Sequence, residues 1–145
     1  GHDIEASWLL HESALVLGEE ESLAKVESRL PSVVAAATEG FTPEGGMIYE
    51  KMGDHVDGDR HWWVQAEAAV GYFNLWEHFG AHEGLENALH CWEYIKKELV
   101  DEKNGEWFWS VRADGSINRV EDKAGFWKCP YHNGRMCLEI IERVK

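Results

Sequence analysis

Cysteine and proline are scarce in this chain of 145 residues, which has only three of each. Cys91, Cys129 and Cys137 are too few, and odd in number, for a disulfide framework, so we expect reduced thiols in a cytosolic protein. No apolar run approaches the length of a transmembrane span, and no signal peptide opens the sequence. These absences argue against a disulfide-stapled secreted domain and against a membrane-spanning protein.

Positive charge is also sparse. Lys and Arg number 14 against 27 Asp and Glu, which gives a net charge of −13, and no stretch concentrates the basic residues. A field of this sign repels phosphate backbones and anionic lipid, so we expect neither nucleic acid nor a membrane surface as a partner. A neutral or cationic small molecule suits the charge better.

The motifs of several common catalytic classes are missing. The sequence contains no P-loop, no dinucleotide-binding glycine pattern and no nucleophile elbow. The spacing of Cys129, His132 and Cys137 invites a zinc site, but a fourth ligand at usable spacing is lacking. The acidic segment 54–59 lacks the spacing of a calcium loop. We therefore predict no metal site.

Tryptophan, by contrast, is abundant. The eight tryptophans are Trp8, Trp62, Trp63, Trp76, Trp92, Trp107, Trp109 and Trp127. The C–H faces of sugar rings lie flat on indoles, so a tryptophan-rich cleft suits a carbohydrate. The alternative is that most of these rings belong to the core.

Apolar periodicity predicts an all-α fold with five helices. These helices cover about residues 3–17, 21–38, 61–79, 84–99 and 131–144. Pro31 falls inside the second helix and predicts a kink or a division there. Between the helices, residues 47–52 and 106–112 alternate in polarity, which predicts short hairpin strands or extended loops.

The order of the elements is two helices, a long loop, two helices, a long loop and a helix, which is typical of an α/α toroid or solenoid. The pattern of the fourth helix predicts an outer helix with one face in solvent. Its apolar side is predicted to comprise Leu85, Leu89, Trp92, Ile95 and Leu99. The first, third and fifth helices are less polar, so we expect them to form an inner ring whose N-terminal ends rim one mouth.

Three short segments on those inner helices could carry chemistry. In the first, His2 and Glu5 are three residues apart on one helical face, where a carboxylate can orient an imidazole as a general base. The alternative is a solvated surface pair. In the third helix, Trp63 and Glu67 share a face that could hold a polyol by stacking and hydrogen bonding. A helix buried on two sides with a satisfied glutamate is the alternative there.

The last segment surrounds the start of the fifth helix. Pro130 suits the first helical position, which places His132 in the first turn and Trp127 in the approach loop. The positive end of the helix dipole favours a neutral imidazole at this position. Histidines and carboxylates can transfer protons, and indoles can stack on a sugar ring, so together these residues favour proton transfer on a sugar.

Three ordered motifs resemble the N-acylglucosamine 2-epimerase family. They are Gly1-His2-Asp3-Ile4-Glu5-Ala6-Ser7-Trp8-Leu9-Leu10, Trp62-Trp63-Val64-Gln65-Ala66-Glu67 and Trp127-Lys128-Cys129-Pro130-Tyr131-His132-Asn133. The first motif looks most like the cellobiose 2-epimerase branch. The resemblance implies the C-terminal part of an (α/α)6 barrel, with the upstream part absent, because twelve helices need roughly 350–400 residues.

The resemblance also implies a chemistry and a set of residues. A ring-opened reducing sugar is deprotonated at C2, and a cis-enediolate is reprotonated on the opposite face. His2 and His132 match the acid/base pair, Glu5 the carboxylate that supports the first histidine, and no metal or nucleotide cofactor is required. The positions that match sugar contacts are Trp8, Trp63, Glu67 and Trp127. The expected substrate is a cellobiose-like disaccharide, with N-acylglucosamine or mannose as lesser options.

Two other functions remain open at this point. A glycoside hydrolase on the same toroid would use Glu5 and Glu67 as its carboxylate pair. A carbohydrate-binding remnant would keep the cleft without catalysis. The family also uses an arginine and a further histidine from upstream helices, so we expect little activity from this chain alone. We also expect its exposed inner surfaces to drive self-association.

Overall fold

The computed structural model describes all 145 residues and is dominated by helices. The helices are α1 (His2–Leu17), α2 (Glu20–Thr38), α3 (Trp62–Phe79), α4 (His82–Tyr94) and α5 (Tyr131–Arg143). The strands are β1 (Glu50–Met52), β2 (His55–Asp57), β3 (Arg60–His61) and β4 (Ser110–Val111). None of the helices is both long and apolar enough to cross a membrane.

Helix α3 is the centre of the fold. Every residue from Trp62 to Asn74 is buried, and the helix packs against α1, α4 and α5. Its small residues, Ala66, Ala68, Ala69 and Gly71, let neighbouring helices come close. The structure therefore agrees with the interpretation of this helix as buried on two sides with a satisfied glutamate.

The helix ends agree well with the predicted ones. Gly18 and Gly80 adopt left-handed backbone conformations that end α1 and α3, as the sequence indicates. Helix α2 continues through Pro31 without division. Helix α4 ends earlier as an α-helix than predicted, because residues Ile95–Leu99 form a π-helical turn that carries the chain to the predicted end.

The buried face of α4 differs from the predicted apolar stripe. Ile95 and Leu99 are fully buried, but Leu89 and Trp92 are 53% and 38% exposed. The face that meets α3 is instead formed by small residues, including Gly84 and Ala88, so that the larger side chains lie toward α5. They line an open, wholly apolar cleft of about 420 Å³ between these two helices, the α4–α5 cleft.

Two short antiparallel strand pairings lie in the long loops, and only the first of them is a hairpin. Strand β1 pairs with β2, with Lys51 opposite Val56. Strand β3 pairs with β4, with His61 opposite Ser110. Only parts of the predicted segments 47–52 and 106–112 are strands, because Met47 and Trp107 form isolated bridges to other residues instead. The β3–β4 pairing joins the two long loops beside the start of α3.

We predict that Gly84→Ala destabilises the protein by about 1–3 kcal/mol, because overpacking forces a backbone shift. A Cβ at residue 84 would lie 2.7 Å from the carbonyl oxygen of Tyr72 and 3.0 Å from the amide nitrogen of Trp76 in α3. Thermal unfolding of the variant and the parent protein measures the loss.

Gly134→Ala is the matched control, since Gly134 is also helical and its Cβ would come no closer than 3.8 Å to Pro130. This change should stabilise the protein by about 0.5–1 kcal/mol through helix propensity. Equal effects of the two substitutions would contradict the packing argument.

Candidate functional site

A cavity of about 410 Å³ lies where the N-terminal ends of α1, α3 and α5 meet. It is lined by His2, Glu5, Tyr49, His61, Trp62, Trp63, Trp109, Trp127 and His132. The three inner helices therefore open onto one space, as the sequence pattern indicates. Two histidines from opposite ends of the chain line it together.

His132 lies in the first turn of α5, and a carboxylate holds one of its ring nitrogens. Its Nδ1 lies 2.7 Å from Oε1 of Glu67, which is a short hydrogen bond. Glu5 is a more distant neighbour, with 3.9 Å between its Oε1 and the same Nδ1. No protein group bonds the other ring nitrogen, so Nε2 is free to act on a ligand.

Glu67 lies behind His132 rather than on the cavity wall. Its residue is only 1% exposed, and both of its carboxylate oxygens are occupied. Oε2 accepts a hydrogen bond of 2.9 Å from Nε1 of Trp8, and Oε1 accepts one of 2.6 Å from Nη2 of Arg135 as well as that of His132. The expected sugar contacts of Glu67 and Trp8 stay predictions, and this geometry favours supporting roles for both.

Glu5 and His2 do not form the expected pair. The Oε1 atom of Glu5 accepts a hydrogen bond of 3.3 Å from Arg135, and no hydrogen bond or ion pair joins Glu5 to His2. The ring of His2 instead packs against that of Trp63, with 4.9 Å between centroids. Helical spacing allows contact between residues 2 and 5, but the guanidinium draws the carboxylate toward α5.

The aromatic wall combines the expected residues Trp63 and Trp127 with Tyr49 and Trp109, which were not among the expected site residues. Trp63 lies near both histidines, with centroid distances of 4.9 Å to His2 and 5.6 Å to His132. Trp127 is 79% exposed and stands at the rim. Tyr49 and Trp109 come from the two long loops, where no periodicity marks which side chain faces the cavity.

His61 is a third histidine on the wall. Burial lowers its pKa, although the carboxylates of Asp57 and Asp59 act in the opposite direction, so the ring is neutral near pH 7. It packs against the ring of Tyr49, tilted by 33°, with 4.3 Å between centroids. Its position directly before the Trp62-Trp63 motif is the only sequence signal that could have found it.

Lys128 fixes the segment that carries Trp127. Its residue is 1% exposed, and its Nζ donates to the carbonyl oxygens of Trp107 and Lys123 and to Oε1 of Glu106 at 3.1 Å. Burial lowers the pKa of this lysine, while the Glu106 carboxylate opposes that effect. A buried cation thus ties the loop before α5 to the loop segment at Glu106 and Trp107.

One group of potential metal ligands exists in the chain. Glu5, Glu67 and His132 offer ligand atoms within 4.8 Å of one another. Arg135 hydrogen bonds to both of these carboxylates and supplies the positive charge at their oxygens. Cys129 and Cys137 are exposed and belong to no such group, so the zinc spacing noted in the sequence does not correspond to a cluster.

Comparisons with known proteins agree with the motifs. The model of the N-acylglucosamine 2-epimerase family matches residues 1–134. The chain is 61% identical over 143 residues to a cellobiose 2-epimerase of Bacteroides fragilis, covering 97% of this chain and 36% of that protein. It is 41% identical over 145 residues to a cellobiose 2-epimerase of Ruminococcus albus, covering 99% of this chain and 37% of that protein.

Solved structures show the same similarity. The crystal structure of a sugar epimerase from a ruminal bacterium superposes with a TM-score of 0.92 at 38% identity, covering 98% of this chain and 37% of that one. The prediction of an all-α fold, the C-terminal part of an α/α barrel, is thereby confirmed. The chain spans little more than a third of the length of the relatives that it matches.

We predict that Glu67→Gln lowers the free energy of unfolding by about 2–4 kcal/mol, since it leaves Arg135 with one weaker acidic partner in a partly buried place. Thermal or urea unfolding provides the measurement. Glu77→Gln is the control, because Glu77 is a partly exposed partner of Arg143 and should contribute less than about 1 kcal/mol. Losses of the same size in both variants would show that Glu67 has no special structural role.

Proposed function

The chain belongs to the N-acylglucosamine 2-epimerase family, and from this we infer that it forms the C-terminal part of an enzyme that inverts C2 of a reducing sugar. The observation that carries this proposal is the cavity itself. His2 and His132 line one space, with the indole of Trp63 near both rings. Inversion requires one proton acceptor and one proton donor, on opposite faces of the reacting carbon.

In the proposed reaction the ring-opened sugar places C2 between the two imidazoles. One histidine, as the neutral imidazole, removes the C2 proton; the electron pair of that C–H bond forms the C1–C2 double bond while the carbonyl π pair moves onto the aldehyde oxygen, which gives a cis-enediolate. The other histidine, which starts as the imidazolium, donates its proton to the opposite face of C2 as the carbonyl re-forms, and proton exchange with solvent restores both histidines. His132 suits proton transfer because Glu67 occupies its Nδ1 and leaves Nε2 unbonded.

The proposed substrate is a cellobiose-like disaccharide. Its support is the high identity to a cellobiose 2-epimerase and the Ile4-Glu5-Ala6-Ser7-Trp8 motif. Trp63 on the wall and Trp127 at the rim offer apolar faces on which sugar rings can stack. N-acylglucosamine and mannose are the other candidate substrates.

A glycoside hydrolase is the second candidate. It would need Glu5 and Glu67 to reach the two sides of a glycosidic bond. Glu5 lines the cavity, but Glu67 does not, and both of its oxygens already accept hydrogen bonds from protein groups. The geometry therefore favours histidine-based proton transfer.

We predict that the full-length protein incorporates deuterium at C2 of cellobiose in deuterated water and forms the C2 epimer, both followed by NMR. His2→Gln and His132→Gln should each lower the rate at least about 100-fold, the contribution typical of a general acid or base. His90→Gln, on the exposed side of α4, is the matched control and should leave the rate unchanged.

The same spectra separate the alternatives. Release of glucose without label at C2 would favour the hydrolase, and binding without exchange would favour a non-catalytic carbohydrate-binding protein. Either result would contradict the epimerase proposal.

We also predict that the isolated 145-residue chain self-associates through the α4–α5 cleft. Exposed apolar surface of this kind drives association in water. Ile141 lines the cleft and is 53% exposed, so Ile141→Glu should shift the sedimentation coefficient toward the monomer. Val120→Glu, at an exposed loop position outside the cleft, should not do so, and equal sedimentation of both variants would contradict the assignment.

A further inference from the structure

Glu106 is the only residue other than glycine with a positive φ, which is 62°. It follows Gly105, whose φ is 75°, in the turn that leads to Trp107. Only glycine adopts this left-handed region without a steric cost, so a glycine would suit the backbone at residue 106 better than a glutamate does. A function of the side chain would account for a glutamate in this strained conformation.

The side chain of Glu106 forms hydrogen bonds rather than part of the core. It is 35% exposed and does not line the cavity. Its Oε1 accepts hydrogen bonds from the backbone amide of Trp107 at 3.0 Å, from Nζ of Lys128 at 3.1 Å and from Nδ2 of Asn133 at 3.0 Å. Burial opposes its ionisation, but the hydrogen bonds from Trp107 and Lys128 hold the pKa of the carboxyl below its ordinary value. One anionic oxygen therefore joins the turn, the segment before α5 and the first turn of α5.

Lys128 links Glu106 to the rim of the cavity. Its ammonium has three donors, and their acceptors are the Glu106 carboxylate and the carbonyl oxygens of Trp107 and Lys123. The carboxylate is the only anion among these acceptors, and the side chain of Lys128 is 1% exposed. A buried ammonium that loses its carboxylate keeps an uncompensated charge, which favours its movement toward water. Trp127 directly precedes Lys128 in the chain, so such a movement would displace its indole as well.

We infer that Glu106 is a positioning residue whose carboxylate, acting through Lys128, holds Trp127 at the rim of the cavity. Trp127 offers an apolar face to a sugar ring, so the inference rests on the proposed function and assigns a further residue to the same site. His132 does not depend on this carboxylate, because its Nδ1 is bonded to Glu67. Loss of the Glu106 carboxylate therefore weakens sugar binding and leaves the proton transfer itself largely intact.

The first test is steady-state kinetics of the full-length enzyme and its Glu106→Gly variant with cellobiose. Glycine suits the left-handed backbone, so this change removes the carboxylate without straining the turn. KM should rise about tenfold, the effect expected for the loss of one aromatic contact, while kcat should change by less than about threefold. An unchanged KM would overturn the inference, because the backbone turn alone would then position the rim. A fall in kcat at unchanged KM would overturn it as well.

A double-mutant cycle tests whether Glu106 acts through Lys128. Lys128→Met keeps the apolar body of the side chain and removes the ammonium. The variant that combines Glu106→Gly with Lys128→Met should have the same KM as Lys128→Met alone, because the carboxylate then has no cation to hold. Increases in KM that multiply in the double variant would contradict the assigned route.

Glu102→Gly is the matched control. Glu102 is an exposed glutamate of the same loop, and its carboxylate forms no hydrogen bond or ion pair. The variant makes the same exchange of side chain and should keep the KM of the parent enzyme. An equal rise in KM in both glycine variants would mean that the flexibility of the loop, and not the Glu106 carboxylate, controls sugar binding.

A second readout does not depend on activity, and it needs only Glu106→Gly if Lys128→Met does not fold. Fluorine NMR of the full-length protein labelled with fluorotryptophan reports the surroundings of each indole, with the signals of Trp127 and Trp92 assigned by their absence in Trp127→Phe and Trp92→Phe. In Glu106→Gly the Trp127 signal should move, whereas that of Trp92, on the outer helix α4, should stay in place. An unmoved Trp127 signal would overturn the inference. Failure of the parent enzyme to exchange the C2 proton of cellobiose would instead sink the proposed function and leave this result standing.

Discussion

The buried carboxylate of Glu67 holds the site together, and the other contacts depend on it. It accepts hydrogen bonds from Trp8 of α1 and from His132 and Arg135 of α5, while its own helix, α3, is buried along most of its length. A carboxylate almost fully removed from water is stable only when charge and hydrogen bonds compensate it. Three helices must therefore stand in a fixed relation around it, and in this relation His132 lines the cavity with its Nδ1 bonded to Glu67.

The site has two layers, which are the residues on the cavity wall and the residues behind them that hold the wall in place. His2, Trp63 and His132 face the cavity, and Trp127 stands at its rim. Glu67, Arg135 and Trp8 lie behind them, and Glu67 joins the other two and His132 through hydrogen bonds. Lys128 does the same for the approach loop, since its buried ammonium ties that loop to Glu106 and to backbone carbonyls. The supporting residues Glu67 and Lys128 are each only 1% exposed.

Much of this could be predicted from the chain, because helical period and glycine or proline punctuation are local properties. The five helices, their ends at Gly18 and Gly80, and the meeting of three N-terminal turns follow from them. The partner of Glu5 could not be predicted. A spacing of three residues permits contact with His2, but an arginine 130 positions away competes for the carboxylate and forms the hydrogen bond. The apolar side of α4 was misassigned at Leu89 and Trp92 for a related reason, because the close approach of α3 selected the small-residue face.

The sequence by itself determined the helical pattern, the positions of His2 and His132 at the starts of inner helices, and the motifs that mark the family. Tertiary structure alone decided which side chains stand on the cavity wall and which lie behind it. It also decided that Arg135 shares an oxygen of Glu67 with His132 across 68 residues of chain. The physical reason is that hydrogen bonds and ion pairs act over about 3–4 Å, a scale that only helix packing sets. Periodicity tells which residues share a face of one helix, and packing decides what that face meets.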